Sequence, residues 1–165
     1  VGLAEANVPN DILDRLEKRE GGLVNDPADT GGHTYKGISE RWNADLWKDG
    51  PPTDAQVRER YEQRYVKGPG FDRIVDAHLR EQLIDIAVHS GPGIAIQKLQ
   101  AILAVTADGV LGPKTLGALA QSDSRKINNL LVAARILMLC RIVQKNPSQV
   151  KFVVGWCDRA LQFLV

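Results

Sequence analysis

Residues 20–38 read EGGLVNDPADTGGHTYKGI. Gly, Asp, Asn, Pro and Thr dominate the stretch, which is turn chemistry with room for one short hairpin. A run of this length without a helix, inside a compact domain, is usually functional. On both sides the pattern becomes helical. Upstream, Ile12, Leu13 and Leu16 recur with charges between them after Asn10 and Asp11, as in a short capped amphipathic helix. Gly21-Gly22 stops that helix and leaves Glu20 at its C-terminal end.

Downstream, nearly everything reads as helix. Ser39 can cap a short one carrying Trp42 and Leu46, ended by Pro51-Pro52. Thr53 and Gln56 form a capping box for TDAQVRERYEQRYV. A core helix is expected from about Asp72 to His89, then a tight Gly91-Pro92-Gly93 turn into Ile94–Leu103. Pro113 opens a short helix, a long one runs from Asp123 to about Lys145, and Asn146-Pro147 ends it before a last helical segment. The expected fold is mainly α: one domain, 1–165, of seven or eight helices. One small β-hairpin or irregular loop carries the active site.

The composition fits this. The 165 residues are 44% hydrophobic and 25% charged, which excludes wholesale disorder. Lys and Arg total 21 against 20 Asp and Glu, so no overall basic excess points to nucleic acid. Cys140 and Cys157 are too few for a disulfide framework and are expected to be buried free thiols. No uninterrupted apolar run approaches the ~18 residues of a membrane span. The first ten residues lack the pattern of a signal peptide. The expectation is therefore a protein made in the cytoplasm, not integral to the membrane, and monomeric. If it acts outside, a separate route must release it.

Glu20, Asn25, Asp26, Asp29, His33, Thr34 and Tyr35 concentrate the polar chemistry. The carbonyl end of a helix is partially negative, so a carboxylate at position 20 is disfavoured there and its pKa should rise. A general acid needs that push. A solvated helix-end residue is the plainer alternative. Asp29 follows nine residues later and Thr34 five after that. A loop folding back on the helix end would bring them towards Glu20. Two carboxyl groups flanking a cleft serve glycoside hydrolysis, one as acid and the other as nucleophile or base. Asp26 and Asp29 equally suit turn formation. Asn25, His33 and Tyr35 are candidate sugar contacts within the loop, and Trp42, Trp47, Tyr61, Tyr65 and Trp156 are further aromatics that could stack on sugars or fill a core.

The run Glu20-Gly21-Gly22, Asn25-Asp26-Pro27, Asp29, Gly31-Gly32, Thr34, Gly37-Ile38 resembles the N-terminal signature of the glycoside hydrolase family 108 muramidases. Asp85 to Gly91 resembles that family's D-x-A-x-N-S-G helix end, with His89 standing where Asn is usual. Residues 95–119, with Leu99-Gln100 and DGVLGPKT at 108–115, resemble its peptidoglycan-binding-like half, and Gly155-Trp156 with Arg159 its G-W-x-x-R. The short, linker-free 95–119 region is expected to be integrated into the domain.

The resemblance implies a lysozyme-like fold and a phage-endolysin type of N-acetylmuramidase acting on bacterial peptidoglycan. It implies Glu20 as the catalytic acid, and Asp29 and Thr34 by likeness to the Glu, Asp, Thr order of phage-type lysozymes. Four residues rather than five separate Asp29 from Thr34 here. His89 would be a substrate contact or a structural helix end. Such an enzyme needs no metal and no organic cofactor, and would reach the periplasmic wall by a holin-like route. The rivals are a lytic transglycosylase, which needs only one Glu, and a wall-binding module without catalysis. Other motifs fail: His33, His78 and His89 lack short zinc spacing, and no phosphate loop, EF-hand or Gly-x-Ser-x-Gly elbow occurs.

Overall fold

The computed structural model describes residues 23, 24, 33–36, 38–41 and 43–165. The helix expected over 12–20 lies outside these. The chain divides between Gly68 and Pro69 into two compact units.

In the first unit, β1 (Leu23–Val24), β2 (Thr34–Tyr35) and β3 (Ile38–Ser39) form a small antiparallel sheet in that order. Leu23 pairs with Tyr35 and Val24 with Thr34; Tyr35 pairs with Ile38 and Thr34 with Ser39. The expected hairpin is thus β2–β3, and β1 adds a third strand. Lys36 takes a left-handed backbone (φ 45°) between β2 and β3, the region a two-residue hairpin turn demands.

The Ser39-capped helix does not form: the described residues from 40 to 50 run in successive turns. The Ser39 carbonyl accepts both the Asn43 N–H (3.1 Å) and its Nδ2 (3.0 Å), so a single helical turn closes there and does not propagate. The chain then continues through the turn-forming Asp45, Asp49 and Gly50. α1 (Asp54–Glu62) begins at the expected capping box. The Gln56 backbone N–H donates to Thr53 Oγ1 (3.3 Å), and the Thr53 N–H donates back to Gln56 Oε1 (2.8 Å). The helix widens into a π turn over Gln63–Lys67. Ile38, Val57, Tyr61 and Val66 are the buried apolar positions among the described residues of this unit.

The second unit is entirely helical: α2 (Ala77–Ser90), α3 (Pro92–Ile102), α4 (Pro113–Ala120), α5 (Ser124–Lys145) and α6 (Val150–Leu161). α2 starts later than the apolar pattern implies. Phe71–Arg73 is a separate 3-10 turn, and Asp76 caps α2 by accepting from the Leu79 N–H at 2.8 Å. Gly70 before that turn has φ +80°, and a Cβ there would run into the Arg73 guanidinium, which donates to the Leu111 carbonyl.

α2 packs against α3 and α5, and α5 against α3 and α6. Leu79, Leu83, Ile86, Leu99, Leu131 and Leu139 are sealed between them. Truncating one such side chain to Ala typically costs ~2–5 kcal/mol. Residues 95–119 therefore share a core with α2. The C-terminal tail is tied down by polar groups: Asn128 Nδ2 donates to the Phe163 carbonyl, which His78 Nε2 also reaches at 3.0 Å.

α5 spans 22 residues, with a mean hydropathy of 1.4 over its most apolar window, so length and composition alone would let it cross a membrane. Scanning for uninterrupted apolar runs passes over it because Arg135 and Arg141 interrupt it. Its inward face packs in the unit and buries Arg135 completely. The thiols also differ from expectation. Both are free, but Cys140 falls on the outward face of α5 and is exposed, while Cys157 on α6 is half-buried.

Candidate functional site

Glu20, Asn25, Asp26 and Asp29 lie outside the described residues. The strand register still constrains the chain around them. Pairing of Val24 with Thr34 joins the two ends of the segment carrying Asn25, Asp26 and Asp29. Thr34 is a strand residue of the central strand β2, and its neighbours His33 and Tyr35 are described in full.

The hairpin is anchored through side chains that sequence patterning does not single out. Tyr35 donates its hydroxyl to Asp54 Oδ1 at 2.8 Å, and Lys36 Nζ meets the same oxygen at 2.8 Å. Asp54 sits in the first turn of α1, where the helix N-terminus favours an anion. Lys36 and the Tyr35 hydroxyl hold its carboxyl below the usual carboxylate range. Because that folded-state pKa is lowered, the tie is intact at neutral pH and is lost only as pH falls through the lowered value. The one sequence signal for this anchor was the capping box, which fixed Asp54 as the first helical residue.

Tyr61 is buried, and its hydroxyl donates to the Lys36 carbonyl at 3.0 Å. It thereby holds the strained turn residue from below, and Tyr65 stacks on it with centroids 5.7 Å apart. Tyr61→Phe should cost about 1 kcal/mol by removing that hydrogen bond. Chemical denaturation is the check, and a loss below a few tenths of a kcal/mol would show the bond to be idle. His33 sits on the exposed side. Its Nδ1 donates to Glu40 Oε2 at 2.8 Å, and its ring stacks on Trp47 at 6.1 Å. Both candidate sugar contacts, His33 and Tyr35, are thus preorganised by protein partners.

The same unit holds a polar cavity of about 580 Å³ lined by Asn43, Leu46, Gln56, Glu59, Arg60 and Arg64. Arg60 is ion-paired there with Asp45. Neither His33 nor Tyr35 is among its described lining.

The second unit contains His89. It is exposed at the end of α2, with Nδ1 2.8 Å from Ser90 Oγ and its ring edge-on to Trp156 (5.2 Å, 75°). One turn earlier, Asp85 is buried and meets Arg159 of α6 through Nε at 2.7 and 2.8 Å, and Arg135 of α5 at 2.6 Å. The two short motifs at 85–91 and 155–159 are therefore partners, Asp85 with Arg159 and His89 with Trp156.

Gln100, also buried, organises the 108–115 loop. Its Nε2 lies 2.7 Å from Asp108 Oδ1 and 3.0 Å from both Val110 O and Thr115 Oγ1, while its Oε1 accepts from the Gly109 N–H at 2.9 Å. The Gln100 amide and the Val110 N–H hold the Asp108 carboxyl below its ordinary range. Asp108-Gly109 is thus turn chemistry built around one amide.

Residues 13–91 match the family model described as glycosyl hydrolase 108. That match spans just under half of the chain and includes the Glu20-to-Ile38 run. Residues 94–161 match a second model, described as a predicted peptidoglycan domain. A solved structure titled "Structure of Brucella abortus SagA" is similar over 93% of this chain and 94% of its own, at 28% identity and a TM-score of 0.66. No match was found among curated proteins. The chain is a mainly helical glycoside hydrolase that acts on peptidoglycan. The boundary between its two family matches falls at the α2–α3 turn, inside the second compact unit, so the helix that ends the hydrolase match belongs to the core of the peptidoglycan-domain match.

Proposed function

We propose that this chain is an N-acetylmuramidase of the glycosyl hydrolase 108 type. It cleaves the β-1,4 bond between N-acetylmuramic acid and N-acetylglucosamine. Glu20 protonates the leaving glycosidic oxygen, and Asp29, helped by the Thr34 hydroxyl, activates water for a single inverting displacement. His33, Tyr35, Asn25 and His89 contact the glycan.

The observation that carries this reading is the coincidence of the hydrolase match with the Glu20-to-Ile38 run and its small sheet. β1 starts three residues after Glu20, and its partner strand begins with Thr34. The proposal includes a bacteriolytic setting: a phage-type endolysin, acting as a monomer, made in the host cytoplasm and released to the wall by a separate holin-like route.

Digestion of purified sacculi followed by mass spectrometry tests the reaction. Reducing N-acetylmuramic acid ends are expected. Products ending in 1,6-anhydro-muramic acid would replace this reading with transglycosylation, and undigested sacculi would replace it with binding alone.

A further inference from the structure

Charge is distributed very unevenly along the chain. Residues 124–165 hold Arg125, Lys126, Arg135, Arg141, Lys145, Lys151 and Arg159 against a single acid, Asp158. Arg135 and Arg159 are spent internally on Asp85. The other five cations are exposed, and none has an ion-pair partner among the described residues. Lys98 on the neighbouring α3 adds to the crowding, since burial and the nearby Arg141 hold its ammonium below the ordinary lysine range.

The same segment leaves apolar side chains in solvent. On α6, Val150, Val154 and Leu161 recur at i, i+4 and i+11, so they share one stripe of the helix. They are 58%, 69% and 45% exposed. Phe152 is exposed too, with Lys151 Nζ 4.9 Å from its ring centroid. On α5, Leu130 and Leu137 face outward. Such side chains are ordinary singly. Concentrated on two packed helices beside unpaired cations, they are not.

We infer that the α5–α6 face is a docking surface for an anionic phospholipid bilayer. Cations beside an apolar helix stripe are what such a surface takes up, the ammonium and guanidinium groups at the headgroups and the apolar groups at the acyl boundary. A glycan or its stem-peptide carboxylates could use the charges, but acyl chains offer far more apolar surface to exposed valine and leucine than a hydrated sugar does. The inference is independent of the proposed cleavage reaction.

Co-sedimentation of the full chain with phosphatidylcholine vesicles, with and without phosphatidylglycerol, tests it. Binding is expected only when phosphatidylglycerol is present, and should weaken as salt rises. Each cation near a charged membrane surface contributes about fivefold, so the double variant Lys145→Glu, Lys151→Glu should lose at least roughly 25-fold in vesicle affinity. Val154→Asp should weaken binding by introducing a charge into the apolar stripe. Circular dichroism checks that these exposed substitutions leave the fold intact, and vesicle binding is read without reference to sacculus digestion. No phosphatidylglycerol-dependent binding would overturn the inference. So would charge-reversed variants that bind vesicles normally but lose binding to purified sacculi, which would make the wall the occupant.

Discussion

Glu20→Gln is expected to lower the rate of sacculus clearing by about 100- to 10,000-fold while leaving the fold and wall binding in place. The amide matches the carboxyl in size but has no acidic proton to deliver. A glycosidic oxygen is a poor leaving group until it is protonated, so the missing proton falls directly on the chemical step. A change confined to that step should lower kcat and kcat/KM together with little effect on KM. Turbidity loss on purified peptidoglycan gives the rate. Circular dichroism and the thermal midpoint confirm folding, and co-sedimentation with sacculi confirms binding. A folded variant with near-full activity would remove Glu20 from the mechanism. The binding measurement separates this from the rival in which the chain only binds the wall, since that protein would be indifferent to the substitution in both assays.

The readable parts of the fold were those governed by local rules. Thr53 with Gln56, Pro113 and Asp123 each mark or cap a helix start that the structure contains, because a cap is decided within three or four residues. Helical periodicity over 72–90 misplaced a boundary because Phe71 and Ile74 face the core from a 3-10 turn, and burial alone does not reveal which kind of turn supplies it. The region around Trp42 and Leu46 was misread for a related reason. Its apolar spacing is compatible with a helix, but Asp45, Asp49 and Gly50 are turn formers and keep it in short turns. Within the candidate site, the polar run at 20–38 was legible from composition. The anchors of its hairpin were not: Asp54 and Tyr61 come from a helix that follows in sequence, and no spacing rule connects Tyr35 to residue 54 or Lys36 to residue 61. The partnership of the motifs at 85–91 and 155–159 was equally hidden, because each reads separately as a helix-end signature.

Asp85→Asn should be the most damaging single change in the second unit. The carboxylate joins three helices: it lies on α2, accepts from Arg135 on α5, and is gripped by Arg159 on α6. Arg135 is 1% exposed, and Asp85 is its one ion-pair partner among the described residues; its Nε and Nη1 have no hydrogen-bond partner among them either. Removing the carboxylate charge strands a buried guanidinium that cannot turn to water, and it points an amide N–H at groups that only donate. Breaking a buried pair from one side typically costs ~3–5 kcal/mol. In a protein of this size that is a fall in thermal midpoint of roughly 6 to 20 °C. Arg159→Ala should cost less, because Arg159 keeps contact with solvent and its loss leaves Asp85 still paired with Arg135. Replacing Asp85, Arg135 and Arg159 together by apolar residues of similar volume should recover much of the stability, since a buried ionic cluster seldom outperforms a packed apolar one. The effect also bears on function through geometry. His89 lies one helical turn beyond Asp85 and packs on Trp156, one turn before Arg159. The ionic clamp and the ring contact therefore fix the same helix end twice. Calorimetry on the single variants and the apolar triple variant is the measurement. An Asp85→Asn protein that melts within 3 °C of the parent would show that the cluster does not hold these helices together.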